Sequence, residues 1–85
     1  MAYAIQFKPS AVRQLEELPR PIRNRIALKI GALRNDPFPA GCKKLAALRD
    51  TWRVRVGDYR VIYQVQRGIL VVLVLTVGHR REVYR

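Results

Sequence analysis

Apolar positions near the N-terminus follow a two-residue period. Tyr3, Ile5 and Phe7 fall on one side of that alternation, which predicts a short strand over residues 3–7. Ser10 is a candidate N-cap. Val12, Leu15 and Leu18 then recur at helical spacing, so residues 11–18 read as a helix that Pro19 and Pro21 interrupt. Pro21 suits the first turn of a second helix, where its missing N–H costs nothing. That helix, over residues 21–35, carries Ile22, Ile26, Ile30 and Leu33 in one stripe, with Arg20, Arg23, Asn24, Arg25, Lys29 and Arg34 as the polar remainder. Asn35-Asp36-Pro37 closes it, and residues 37–50 read mostly as loop anchored by Leu45 and Leu48.

The second half of the chain changes period. Trp52, Val54 and Val56 alternate with Arg53 and Arg55, and Tyr59, Val61, Tyr63 and Val65 alternate with Arg60, Ile62, Gln64 and Gln66. Gly57-Asp58 and Arg67-Gly68 are the turn signals around these strands. Residues 69–77 are apolar nearly throughout, as in a strand covered on both faces. The order is β-α-α-β-β-β in one domain spanning residues 1–85. It implies an α+β fold, a mainly antiparallel sheet with two helices on one face.

The first hairpin can be registered. If Gly57-Asp58 is a two-residue loop, Val56 opposes Tyr59 and Arg55 opposes Arg60. The apolar set Trp52, Val54, Val56, Tyr59, Val61 and Tyr63 then points to the helices, and Arg53, Arg55 and Arg60 to the other face. Like charges directly opposite destabilise a sheet. A third strand ending beside this turn would bring His79 and Arg80 toward Arg55 and Arg60. By parity Ile69, Val71, Leu73, Leu75 and Val77 would share one face, which would then need a cover.

Charge makes that arginine face informative. Lys and Arg total 17 against 6 Asp and Glu, a formal net charge of +11, so polyanions are the expected partners. Guanidinium groups bind phosphate bidentately, and Tyr84 or Trp52 could stack on a base, although parity favours the core for Trp52. Hydrophobic residues at 49% exclude a disordered chain. Cys42 is the only cysteine and His79 the only histidine, so neither a disulfide nor a structural metal site is expected, and no cofactor. The N-terminus lacks the pattern of a signal peptide, and the longest apolar run is far below the roughly 20 residues of a spanning helix. A cytoplasmic protein with no membrane partner is expected.

Two stretches carry a family resemblance: Trp52-Arg53-Val54-Arg55-Val56-Gly57-Asp58-Tyr59-Arg60-Val61-Ile62-Tyr63, and Val77-Gly78-His79-Arg80-Arg81-Glu82-Val83-Tyr84. Together with the element order they resemble the RelE/ParE toxin superfamily, most closely its RelE branch. The resemblance implies the toxin of a type II toxin–antitoxin system, a ribosome-dependent endoribonuclease that cuts mRNA in the A site by metal-independent transesterification and so inhibits translation. The implied partners are an acidic, RelB-like antitoxin, the ribosome and mRNA. The implied catalytic residues are Arg53, Arg55, Arg60, Arg80 and Tyr84.

Two departures stand out. The family's best-described sites carry lysines where this chain has Arg53 and Arg55. Arginine is a poor general base, and an imidazole, with its ordinary pKa near neutrality, makes His79 the proton-transfer candidate. The C-terminal helix of longer relatives is expected to be missing after Arg85. The alternatives are a ParE-like inhibitor of DNA gyrase with the same fold, and a non-catalytic basic nucleic-acid-binding module.

Overall fold

The computed structural model describes residues 2–79 of the 85. The elements are β1 (Ala4–Phe7), α1 (Pro9–Glu16), α2 (Arg20–Ala32), β2 (Lys43–Lys44), β3 (Thr51–Val56), β4 (Tyr59–Gln66) and β5 (Val71–His79), with a 3₁₀ turn at Arg67–Ile69. They form a five-stranded sheet in the order β1-β5-β4-β3-β2. All neighbours are antiparallel except β1 and β5, which run parallel. A parallel pair needs a crossover, and α1 and α2 lie in the chain segment between β1 and the meander.

The helices differ from the sequence expectation at their ends. α1 begins at Pro9, so Ser10 lies inside the helix and Lys8 is the extended N-cap. The Lys8 carbonyl accepts the amides of Ala11 (2.9 Å) and Val12 (3.1 Å), and proline supplies the first position with a preset φ. α2 stops at Ala32 rather than at residue 35, although its stripe holds: Ile26, Ile30 and Leu33 are buried. The loop expected over residues 37–50 contains the two-residue strand β2.

The core lies between the helices and one sheet face. Ala11, Ile26, Ile30 and Leu33 meet Val54, Val61, Tyr63, Val65, Val72, Val74 and Val77. Tyr63 is fully buried, and its hydroxyl donates to the Pro37 carbonyl at 2.7 Å, fixing the segment after α2 to the central strand. Burial pushes its ionisation well above the ordinary tyrosine value. Trp52 is half-buried on this side, edge-on to Phe38 at 4.8 Å between centroids.

The last strand departs from simple alternation. Ile62 faces Thr76 but Tyr63 faces Val74, so Leu75 is an extra residue, a β-bulge. Ile69 lies in the 3₁₀ turn and is exposed, while the bulge sends Val77 into the core at 2% exposure. The expected single face of Ile69, Val71, Leu73, Leu75 and Val77 therefore does not exist. Past Val74 the outer edge of β5 is covered by α1, where the Gln14 side-chain oxygen accepts the Val77 amide at 2.9 Å.

Candidate active site

The β3–β4 hairpin closes with the two-residue Gly57-Asp58 turn. Gly57 has φ +59, a left-handed value that glycine adopts without strain. Val56 opposes Tyr59 and Arg55 opposes Arg60, as the expected register requires. On β5, Gly78 opposes Arg60 and His79 opposes Tyr59. Directly opposed residues of an antiparallel pair share a face, with Cβ atoms about 5 Å apart. Arg53, Arg55, Arg60 and the backbone of Gly78 thus lie together on the face opposite α1 and α2.

Arg60 is the centre of this face. It is 5% exposed, its Nε is buried without a hydrogen-bond partner, and its Nη1 makes one long contact, 3.5 Å, to the Tyr59 carbonyl. Removing a cation from water costs several kcal/mol unless it is paired and hydrogen-bonded. Arg55 opposite is exposed and of the same sign, so it adds repulsion. A phosphate oxygen is the kind of ligand that would satisfy both guanidinium groups.

His79 is not part of this arrangement. Its ring packs against Tyr59, with centroids 5.5 Å apart and planes at 81°, on the helix side of the sheet. The expectation that His79 would stand beside Arg55 and Arg60 is corrected by the register. The bulge at Leu75 shifts β5 by one position, so Gly78 takes the place next to Arg60. Arg80 and Tyr84 lie outside the described residues.

A groove leads away from the arginine face around the edge of β3. Lys43 and Lys44 of β2 pair with Arg53 and Trp52, and among the described residues no strand pairs with the outer edge of β3 from Val54 to Val56. One cleft there, about 290 Å³, is lined by Lys29, Lys43, Arg53 and Arg55 with Ala40, Gly41 and Val54. A neighbouring one of about 460 Å³ shares Lys29 and Arg55 and adds Arg25, Leu28 and Gly57. In the sequence Lys29 belongs to the polar remainder of the second helix and Lys43 to the loop expected over residues 37–50. Only the position of α2 along the β3 edge brings Lys29 to Arg53 and Arg55. Among the described residues no group of three His, Cys, Asp or Glu side chains could hold a metal ion, and no helix is long and apolar enough to cross a membrane.

Fold and face together define a small α+β protein whose sheet presents arginines on the side away from its helices, the architecture of toxins from toxin–antitoxin pairs. Residues 5–84 match the family of the ParE toxin of type II toxin–antitoxin systems, parDE. Toxin RelG of Mycobacterium tuberculosis is 31% identical over 86 residues, covering 100% of this chain and 99% of the relative. The mRNA interferase toxin RelE of Escherichia coli is 30% identical over 88 residues, covering 99% of this chain and 92% of the relative. The crystal structure of the archaeal RelE–RelB complex from Pyrococcus horikoshii matches with a TM-score of 0.83 at 30% identity, over 94% of this chain and 97% of that one. The chain belongs to the ParE toxin family of type II toxin–antitoxin systems and is RelE-like in fold.

Proposed function

We propose that this toxin is a ribosome-dependent endoribonuclease that cuts mRNA in the A site. The observation that carries the reading is Arg60, a cation 5% exposed with a partnerless buried Nε, flanked by Arg55 and by a glycine. A structural arginine at such a position would be paired. One that binds a phosphodiester is satisfied by its substrate. The bound phosphate then sits where water is sparse and its attraction to the guanidinium is strong.

The reaction is transesterification. The ribose 2′-oxygen attacks the adjacent phosphorus, the P–O5′ bond breaks, and the products are a 2′,3′-cyclic phosphate and a 5′-hydroxyl end. Arg55 and Arg60 stabilise the charge that develops on the phosphoryl oxygens. Arg53 holds the backbone, and the groove toward Lys29 takes a flanking stretch of the strand. Arg80 and Tyr84 enter by resemblance to the RelE branch, as a further phosphate ligand and a stacking ring. His79, packed on Tyr59, is given no proton-transfer step. A site with strong charge stabilisation and no strong base is suited to a substrate that the ribosome has already placed in line for attack. An acidic antitoxin is the matching partner of a chain with net charge +11. Names of relatives support the same reading, since one is an mRNA interferase and a structural neighbour is bound to RelB.

Gyrase inhibition is the second reading, favoured by the ParE description of the matching family. Parallel assays of in vitro translation and of gyrase supercoiling separate the two. Cleaved message with normal supercoiling supports the nuclease, and intact message with blocked supercoiling supports the alternative.

A further inference from the structure

The outer edge of β3 carries backbone groups that the sheet does not take up. Two hydrogen bonds fix which they are. The Asp50 carbonyl accepts the Val65 amide at 2.9 Å, so even-numbered residues of this segment bond toward β4. The Thr51 carbonyl accepts the Leu45 amide at 2.9 Å, so odd-numbered residues bond outward. Arg53, the next outward residue, is paired with Lys43. Arg55 follows, and β2 does not reach it. The chain leaves the edge near Gly41, whose φ of +87 is a left-handed value that turns the backbone. Among the described residues no strand pairs with Arg55 on that side, and its N–H and C=O face outward.

These groups belong to the floor of the cleft of about 290 Å³. Arg53, Val54 and Arg55 all line it, although consecutive strand side chains point to opposite faces. Three consecutive residues share one cleft where it runs along the backbone edge. Its walls carry Lys29, half-buried on α2, and Lys43, exposed at the start of β2. Every charged residue lining this cleft and the adjoining one of about 460 Å³ is a cation. An outward N–H between ammonium groups is suited to an anion.

The occupant follows from the length of the free edge and from what it adjoins. A peptide strand that adds to a sheet needs outward groups at alternate residues along several positions. Thr51 and Arg53 already pair with the segment around β2, and Gly57 begins the turn, so among the described residues Arg55 is what remains. That is too short for strand addition and enough for one tetrahedral anion. The edge also continues the arginine face. β3 lies one strand spacing, about 4.8 Å, from β4 and Arg60. A nucleic-acid strand lying on that face therefore reaches the cleft with a neighbouring phosphate.

We infer that the cleft at the outer edge of β3 is a second phosphate site, in which the Arg55 backbone N–H and the ammonium groups of Lys29 and Lys43 hold a phosphodiester of the RNA strand beside the scissile one. The inference rests on the nuclease reading and adds to it a backbone donor and two lysines. Lysine binds phosphate as a point charge, which suits a site that grips the strand without reading its sequence.

The test uses the full chain and a 2′-O-methyl RNA hexanucleotide, which resists cutting because the attacking oxygen is blocked. On titration the NMR signal of the Arg55 backbone amide shifts. Lys29→Gln combined with Lys43→Gln weakens binding at least fivefold and lowers the slope of log affinity against log salt by about 0.7, the loss of one phosphate contact. Lys29→Arg combined with Lys43→Arg binds within twofold of wild type. All three proteins melt within a few degrees of one another. On a programmed ribosome the glutamine variant raises KM more than it lowers kcat.

A silent Arg55 amide overturns the inference, as does wild-type affinity in the glutamine variant. So does a hexaglutamate peptide that shifts the Arg55 amide as strongly as the RNA, since the cleft would then take an acidic peptide. If the glutamine variant does not fold, the Arg55 amide of wild type decides. RNA bound in the cleft by a protein that cuts no translated message defeats the nuclease reading and leaves the cleft as an RNA site. Cut message with a silent Arg55 amide defeats the cleft and leaves the nuclease reading.

Discussion

The two faces of the sheet solve opposite problems. On the helix side β1, β3, β4 and β5 each contribute apolar side chains to one cluster, and the buried Tyr63 hydroxyl has its acceptor at Pro37. On the other side the central strand presents Arg60, buried and without a partner at Nε, directly opposite another arginine. The same strand, β4, serves both faces through alternate residues. The difference teaches that stability and the proposed function are separated by side-chain parity: odd-numbered positions of β4 hold the fold, and Arg60 carries a cost that, on the nuclease reading, a bound phosphate offsets.

That separation is open to attack from both sides. The largest effect belongs to the helix side. Ile26→Ala leaves a cavity against the sheet and loses about 2–5 kcal/mol of stability. Denaturant unfolding should show this loss, while cleavage per folded molecule stays within about twofold of wild type. The reverse pattern is expected at Arg60. In Arg60→Met the buried cation is replaced by an apolar chain of similar length, and the melting temperature stays level or rises. Cleavage falls at least 100-fold, about 2.7 kcal/mol of transition-state stabilisation. An Arg60→Met protein that melts well below wild type would make this arginine structural and dissolve the contrast between the faces.

How much of the contrast was legible in the sequence follows from what sets it. The hairpin register was readable because Gly57-Asp58 fixes a two-residue loop, and from there parity assigns Arg53, Arg55 and Arg60 to one face. The stripe Ile22, Ile26, Ile30 and Leu33 was readable because burial on one helix face leaves a 3.6-residue period. The bulge was not. Leu73, Leu75 and Val77 read as one unbroken apolar alternation, and nothing local distinguishes Leu75 as the extra residue. It is set by tertiary contacts, the amide of Val77 on Gln14 and the fit of Val77 into the core. The misplacement of His79 follows from that single missed residue. Lys29 was missed because its relation to Arg53 and Arg55 exists only once α2 is laid along the β3 edge.

Smaller effects refine the picture. Tyr63→Phe leaves the Pro37 carbonyl unsatisfied and costs about 1–2 kcal/mol. It also changes the alkaline limb of stability. The folded Tyr63 ionises above its unfolded value of 10.0, so its contribution is complete below pH 10 and is lost as pH rises beyond it. Base titration of the unfolding free energy should therefore fall more steeply above pH 10 for wild type than for Tyr63→Phe. The smallest change expected is that of Lys29→Glu, in the groove beside the arginine face. It should weaken binding of single-stranded RNA about threefold to fivefold and lower the dependence of affinity on salt, with no change in melting temperature beyond a degree or two.

The most direct test is to map the ends made on a defined message in a reconstituted translation system, stalled with an open A site, for wild type beside Arg60→Met. Primer extension should find wild-type cuts within the A-site codon, bearing 5′-hydroxyl and 2′,3′-cyclic phosphate ends. It should find none on the same RNA without ribosomes and almost none with Arg60→Met. Cuts by Arg60→Met at the wild-type rate, or a wild type that leaves the translated message intact, would contradict the account.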